Sequence, residues 1–71
     1  MKPEHLVKMA NQIGAFFEAM PDREQATRDV ASHIARNWEP RMTQALKRHI
    51  ETEGGEALSQ IVLDAVRLHL N

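Results

Sequence analysis

Three prolines and a pair of adjacent glycines cut this 71-residue chain into four segments, and each segment repeats its apolar residues at three- and four-residue steps. That spacing is helical. Tyrosine is absent, threonine is scarce, and no run alternates apolar and polar residues with period two, so the sequence offers nothing to build a sheet from. The fold class expected is all-α: a small single domain, residues 1–71, of about four helices arranged as hairpins or a compact bundle.

The punctuation places the helices. Pro3 suits a first turn, where its missing N–H has no role, and Glu4 beside it suits the positive end of the helix dipole. From Leu6 the apolar residues Met9, Ala10, Ile13, Phe16, Phe17 and Met20 fill roughly half the circumference at about 100° per residue. Gly14 sits at the edge of that half, where a missing side chain lets another helix come close. Pro21 ends the segment. Asp22 is placed to cap the second helix, with Gln25 completing a box-like pair. Ala26, Val30, Ile34 and Trp38 then step by four along one face. Pro40 disfavours helical geometry at Glu39 and reopens a third helix carrying Met42, Ala45, Leu46, His49 and Ile50. Gly54 and Gly55 close it. Ser59 is placed to cap the fourth helix, with Leu58 and Leu63 as a hydrophobic staple.

A chain this short buries only a small core and has few means of reinforcing it. Cysteine is absent, which removes disulfides and thiolate metal sites and fits a reducing compartment. Nine Lys and Arg against ten Asp and Glu leave a formal charge of −1, with the signs mixed along the chain. A nucleic-acid binder of this size is expected to show a basic excess, so nucleic acid is not an expected partner. No apolar run approaches the length of a membrane span, and "MKPEHLVKMA" lacks a signal peptide's apolar centre, so the expected location is the cytoplasm.

No catalytic constellation can be assembled. Serine occurs only at 32 and 59, one mid-helix and one at a cap. "EGGE" ends a helix instead of opening one after a strand, which a phosphate loop requires. Asp22 and Glu24 lie together in a solvated first turn, where the helix dipole accounts for them. His5, His33, His49 and His69 fall one to each helix, and four-helix bundles do build metal centres from facing side chains. Yet no helix offers two ligands at i and i+3 or i+4. Neither a cofactor nor a metal is expected, and an independent ligand- or metal-binding bundle using the histidines stands as the alternative function.

Two features point to protein contacts. In the fourth helix Leu58, Ile61, Val62, Leu63, Ala65, Val66, Leu68 and Leu70 spread over roughly 220°, leaving only a polar strip. Such an arc is either a binding surface or the mark of a helix surrounded by the other three. On the first reading Leu63, Val66 and Leu70 meet a partner, and the isolated chain hides this face in a two-fold homodimer. The second feature is "HIARNWEPRM", residues 33–42. Here Trp38 ends one apolar stripe, Pro40 turns the chain, and Met42 opens the next. Trp38 is expected chiefly to pack, with its indole edge reaching a hydrogen-bond partner, and Arg41 to point outward and anchor a partner.

Three stretches carry a resemblance: "LVKMANQIGAFFEAMPDREQA" (6–26), "HIARNWEPRM" (33–42) and "GGEALSQIV" (54–62). In order and spacing they resemble the delta subunit of soluble NAD-dependent formate dehydrogenases over nearly the whole chain. Asn37 stands where that family often has a second aromatic, and Ala57 and Gln60 where a glycine and a helix-starting proline are common. The resemblance implies a non-catalytic accessory chain that supports assembly, maturation or stability of the holoenzyme through contact with its catalytic chain. It also implies that the molybdenum or tungsten pterin centre, the iron–sulfur clusters, the flavin and the NAD site all belong to the catalytic chains.

Overall fold

In the computed structural model, which describes residues 2–70, four helices follow one another: α1 (Pro3–Phe17), α2 (Arg23–Asn37), α3 (Pro40–Glu53) and α4 (Gln60–His69). No strand occurs among the described residues. Pro3 and Pro40 each sit in the first turn of their helices, as their fixed φ favours. Asp22 caps α2 by accepting the backbone N–H of Gln25 at 3.2 Å. The return half of that box is not made, because the Gln25 amide donates forward to Asp29 at 2.9 Å.

α1 is shorter than its apolar stripe. It stops at Phe17, and the Met20 N–H turns back to the Phe17 carbonyl at 3.0 Å. Pro21 explains this, because in a continued helix its ring collides with the carbonyl four residues earlier, which is that of Phe17. At the far end of α3, Gly54 takes φ 77° and ψ −171°, a conformation essentially reserved for glycine, and the chain swings away.

The core lies between α1, α2 and α4, with α3 across one side. Leu6, Val30, Ile34, Leu46, Ile61 and Val62 are its largest fully buried side chains. α2 and α4 pack most extensively, and α1 touches all three other helices. α4 therefore turns most of its apolar arc inward, chiefly against α2 and also α1: Ile61, Val62, Leu63, Ala65 and Val66 are all buried. Its wide apolar arc is covered by this chain's own helices, so the surface reading of that arc does not hold for those positions. The radius of gyration, 10.9 Å, matches the roughly 11 Å of a compact domain this long.

Two contacts seat α4. Gly14 lies where α1 and α4 cross: a Cβ built there would stand 2.8 Å from Val62 Cγ2 and 3.0 Å from Ile61 Cγ2. Asn11 of α1 clamps the loop before α4. Its amide donates to the Ala57 carbonyl at 2.9 Å, and its oxygen accepts the Ser59 N–H at 2.9 Å. Ser59 is the N-terminal residue of α4 as expected, yet its hydroxyl makes no capping bond and is buried without a partner. The staple residues Leu58 and Leu63 are both buried.

Candidate functional site

The corner at Trp38 is built by two opposed requirements. The Trp38 N–H still closes the α2 ladder onto Ile34 at 2.9 Å, while its own backbone is already extended, at φ −91° and ψ 143°. Pro40 then starts α3 at once, so the chain reverses over Trp38 and Glu39 with no loop between. The indole continues the stripe of Ala26, Val30 and Ile34 into the core and is only 7% exposed. It makes no hydrogen bond among the described residues, so the expected indole partner is not found.

What Trp38 does not bury, it lends to a groove. Met9, Ile13 and Phe16 of α1 form one wall, and Trp38 and Met42 form the other across the corner, enclosing about 570 Å³ open to solvent. Phe17 and His33 floor it from α1 and α2. Phe17 is held between aromatic neighbours, with Phe16 edge-on at 5.1 Å and the His33 ring at 6.1 Å. Phe16 itself is 76% exposed, the largest fractional exposure of any large apolar side chain described.

This exposure corrects the reading of α1 as a helix whose apolar half packs inward. At about 100° per residue, Leu6, Val7, Ala10 and Gly14 fall within one arc of about 100°, and these are the buried ones. Met9, Ile13 and Phe16 fall within an adjoining arc of about 60°. None of these three is fully buried, nor is Met20 beyond the helix end. The bundle covers half of the apolar face of α1 and leaves the rest as groove wall. The signal in the sequence was the width of that arc, which the narrow face of one short helix in a small core does not require. Surplus apolar surface was expected on α4, where Leu68 is exposed; Phe16 on α1 adds to it.

On the other side of Met42 lies a second hollow of about 430 Å³ bordered by Leu6, Ala45, Glu39, Arg41 and Arg48. Arg41 points outward as expected and reaches Glu39 at 3.6 Å, both side chains being well exposed, so the pair holds little in place. Met42 is half-buried and shared by both hollows. The corner thus brings together Trp38, Arg41 and Met42 of the residues expected to meet a partner. Leu63 and Val66 are elsewhere, inside the core at 9% and 4% exposure. Leu63 also covers the loop at Gly55, where an added Cβ would run into its side chain. Leu70 packs partly against the core, and Leu68 beside it is exposed.

The histidines are dispersed. His33 packs on Phe17, His49 borders a separate hollow against α1, and His5 and His69 are exposed. Among the described residues no three His, Cys, Asp or Glu side chains converge in a way that would hold a metal ion. No described helix is long and apolar enough to cross a membrane.

The groove and the corner fall inside a stretch with a known counterpart. The family described as "NADH-dependant formate dehydrogenase delta subunit FdsD" matches residues 5–66. The chain belongs to that family. The match runs from the first turn of α1 to Val66 in α4, and so takes in the Asn11 clamp, the α1–α4 crossing at Gly14 and both walls of the groove. Neither a curated protein nor a solved structure matches the chain.

Proposed function

We propose that this chain is a non-catalytic delta subunit that docks on the catalytic chain of a cytoplasmic NAD-dependent formate dehydrogenase. Its role there is to support assembly, maturation or stability of the molybdenum- or tungsten-containing holoenzyme. The observation that carries this reading is the family match over residues 5–66. The exposed Phe16 beside an apolar groove agrees with it, because exposed aromatic side chains commonly serve as interface anchors.

Co-expression with the catalytic chains, followed by gel filtration and metal analysis of the enzyme, tests it. The delta chain is expected to co-elute with the enzyme and to raise the yield of metal-loaded holoenzyme. Enzyme of unchanged yield and loading, with no delta chain in its peak, refutes the reading.

Homodimerisation of the isolated chain stays part of this reading, with its surface relocated. The face of α4 is already covered, so a dimer would form through the groove beside Phe16. Light scattering across micromolar to millimolar concentration decides it; a monodisperse monomer throughout refutes the dimer.

A further inference from the structure

We propose that the groove between Phe16 and the Trp38 corner receives an apolar segment of the formate dehydrogenase complex, and that acidic residues at one end of this segment meet Arg41 and Arg48. The inference rests on the delta-subunit reading and says which surface performs it.

The groove is shaped for side chains. Its walls are Met9, Ile13, Phe16, Trp38 and Met42, two of them methionines whose unbranched side chains adapt to a partner. Its volume lies within the range of small-molecule pockets, about 300–1,000 Å³, but such pockets present convergent polar groups that orient a ligand. Here the polar lining is Gln12, His33 and Asn37: the Asn37 amide is committed to the His33 carbonyl at 2.8 Å within its own helix, the His33 ring packs on Phe17, and Gln12 alone is left on the α1 side. Phe16 stands on an open wall, as an anchor for a partner's side chains does.

Charge selects between the two protein occupants. The groove itself carries no carboxylate or ammonium group. The hollow across Met42 holds Arg41 and Arg48 against the single carboxylate of Glu39. Arg41 meets Glu39 only at 3.6 Å, and Arg48 makes no ion pair among the described residues, although Glu4 and Glu53 border it on its other side. In a two-fold dimer centred on the groove this patch lies against the far end of the copy's groove, whose lining carries no carboxylate, so the arginines gain no partner. An apolar segment ending in Asp or Glu meets the Arg pair with opposite charge, which speeds encounter and fixes direction along the groove.

The test uses the co-expressed complex and three variants of the full chain. Phe16→Asp places a carboxylate on an exposed position and is expected to leave the melting temperature unchanged while weakening association at least about 30-fold, as loss of an interface anchor does. Arg41→Glu/Arg48→Glu is expected to weaken association and to abolish its decline with added salt. Leu68→Asp, an equally drastic change at an exposed apolar position on α4, is expected to have no effect on association. If the wild-type chain fails to associate at all, the delta-subunit reading itself falls. If it associates and Phe16→Asp does so equally well, or Leu68→Asp is the variant that fails, this assignment of the surface is overturned and the reading stands. A dimer of the isolated chain that Phe16→Asp dissolves, with association to the enzyme unaltered, also overturns it in favour of a second copy.

Discussion

Replacing Gly14 by alanine sets two effects of opposite sign against each other, and the geometry says which wins. In an exposed helix interior the change stabilises by about 1 kcal/mol, because alanine restricts the unfolded chain and favours the helix. Gly14 is instead buried where α1 crosses α4. The new methyl would sit 2.8 Å from Val62 Cγ2, 3.0 Å from Ile61 Cγ2 and 3.1 Å from Ser59 Oγ. Comfortable carbon separations are about 3.5–4.0 Å, so α1 and α4 must part by several tenths of an ångström. Neither neighbour yields easily, since Val and Ile have one strongly preferred rotamer within a helix. Overpacking costs about 1–3 kcal/mol, and three contacts at 3.1 Å or less place this site in the upper part of that range, about 2–3 kcal/mol. Set against the propensity gain, the net expectation is a loss of about 1–2 kcal/mol. For a domain of this size, that lowers the melting temperature by about 5–15 °C. Thermal unfolding followed by circular dichroism at the helical band reads it directly. A double-mutant cycle with Val62→Ala should show favourable coupling, because removing Cγ2 makes room for the methyl. A Gly14→Ala protein that melts at or above the wild-type temperature would refute the close crossing of α1 and α4.

Three further outcomes follow from the same structure. Trp38→Ala should cost about 3–5 kcal/mol and leave most of the chain unfolded at room temperature, seen as lost helical dichroism, because the indole fills the corner of a small core. Asn11→Ala should cost about 1–3 kcal/mol through the two lost bonds to Ala57 and Ser59, and hydrogen exchange should report faster exchange at the Ser59 amide. Arg41→Ala should change stability by less than about 0.5 kcal/mol, since its one ion pair is exposed, while binding measurements with the catalytic chain show weaker association.

Legibility from sequence followed the range of each interaction. Pro3, Asp22, Pro40 and Gly54 act on their own turn of chain, and each marks a helix end as its local chemistry predicts. Ala26, Val30, Ile34 and Trp38 were legible as one buried stripe because α2 packs with a single face. Gly14 was legible as a close approach, although the sequence did not say which helix comes near it. The difficulties came where a second element decides. Ser59 was read as a hydroxyl cap, but Asn11, 48 positions earlier, holds its backbone N–H, and the hydroxyl goes unpaired. Gln25 could either accept the Asp22 N–H with its oxygen or donate its amide to Asp29, and it took the second. Leu63 and Val66 looked available to a partner because a wide arc does not reveal how many helices will share it. Phe16 looked internal for the complementary reason: a stripe records which residues are apolar, while the number of neighbours decides how much of the stripe is covered. For the candidate site, the corner itself was visible in "NWEPRM", but its opposite wall on α1 was not.

The burial of α4 also orders events during synthesis. Its packing partners, chiefly α2 and also α1, are complete in the chain well before Gln60 is added, so the centre of the core is supplied last. Until then α1–α3 present the faces that will grip Ile61, Val62 and Val66 to the surrounding water, as a cleft with no filling. Domains commonly fold as units while they emerge, and exposed apolar surface in the interval invites aggregation. A nascent chain stalled after Glu53 should therefore be a client for chaperones. One stalled after His69, with enough linker to clear the ribosome, should fold and release itself from them.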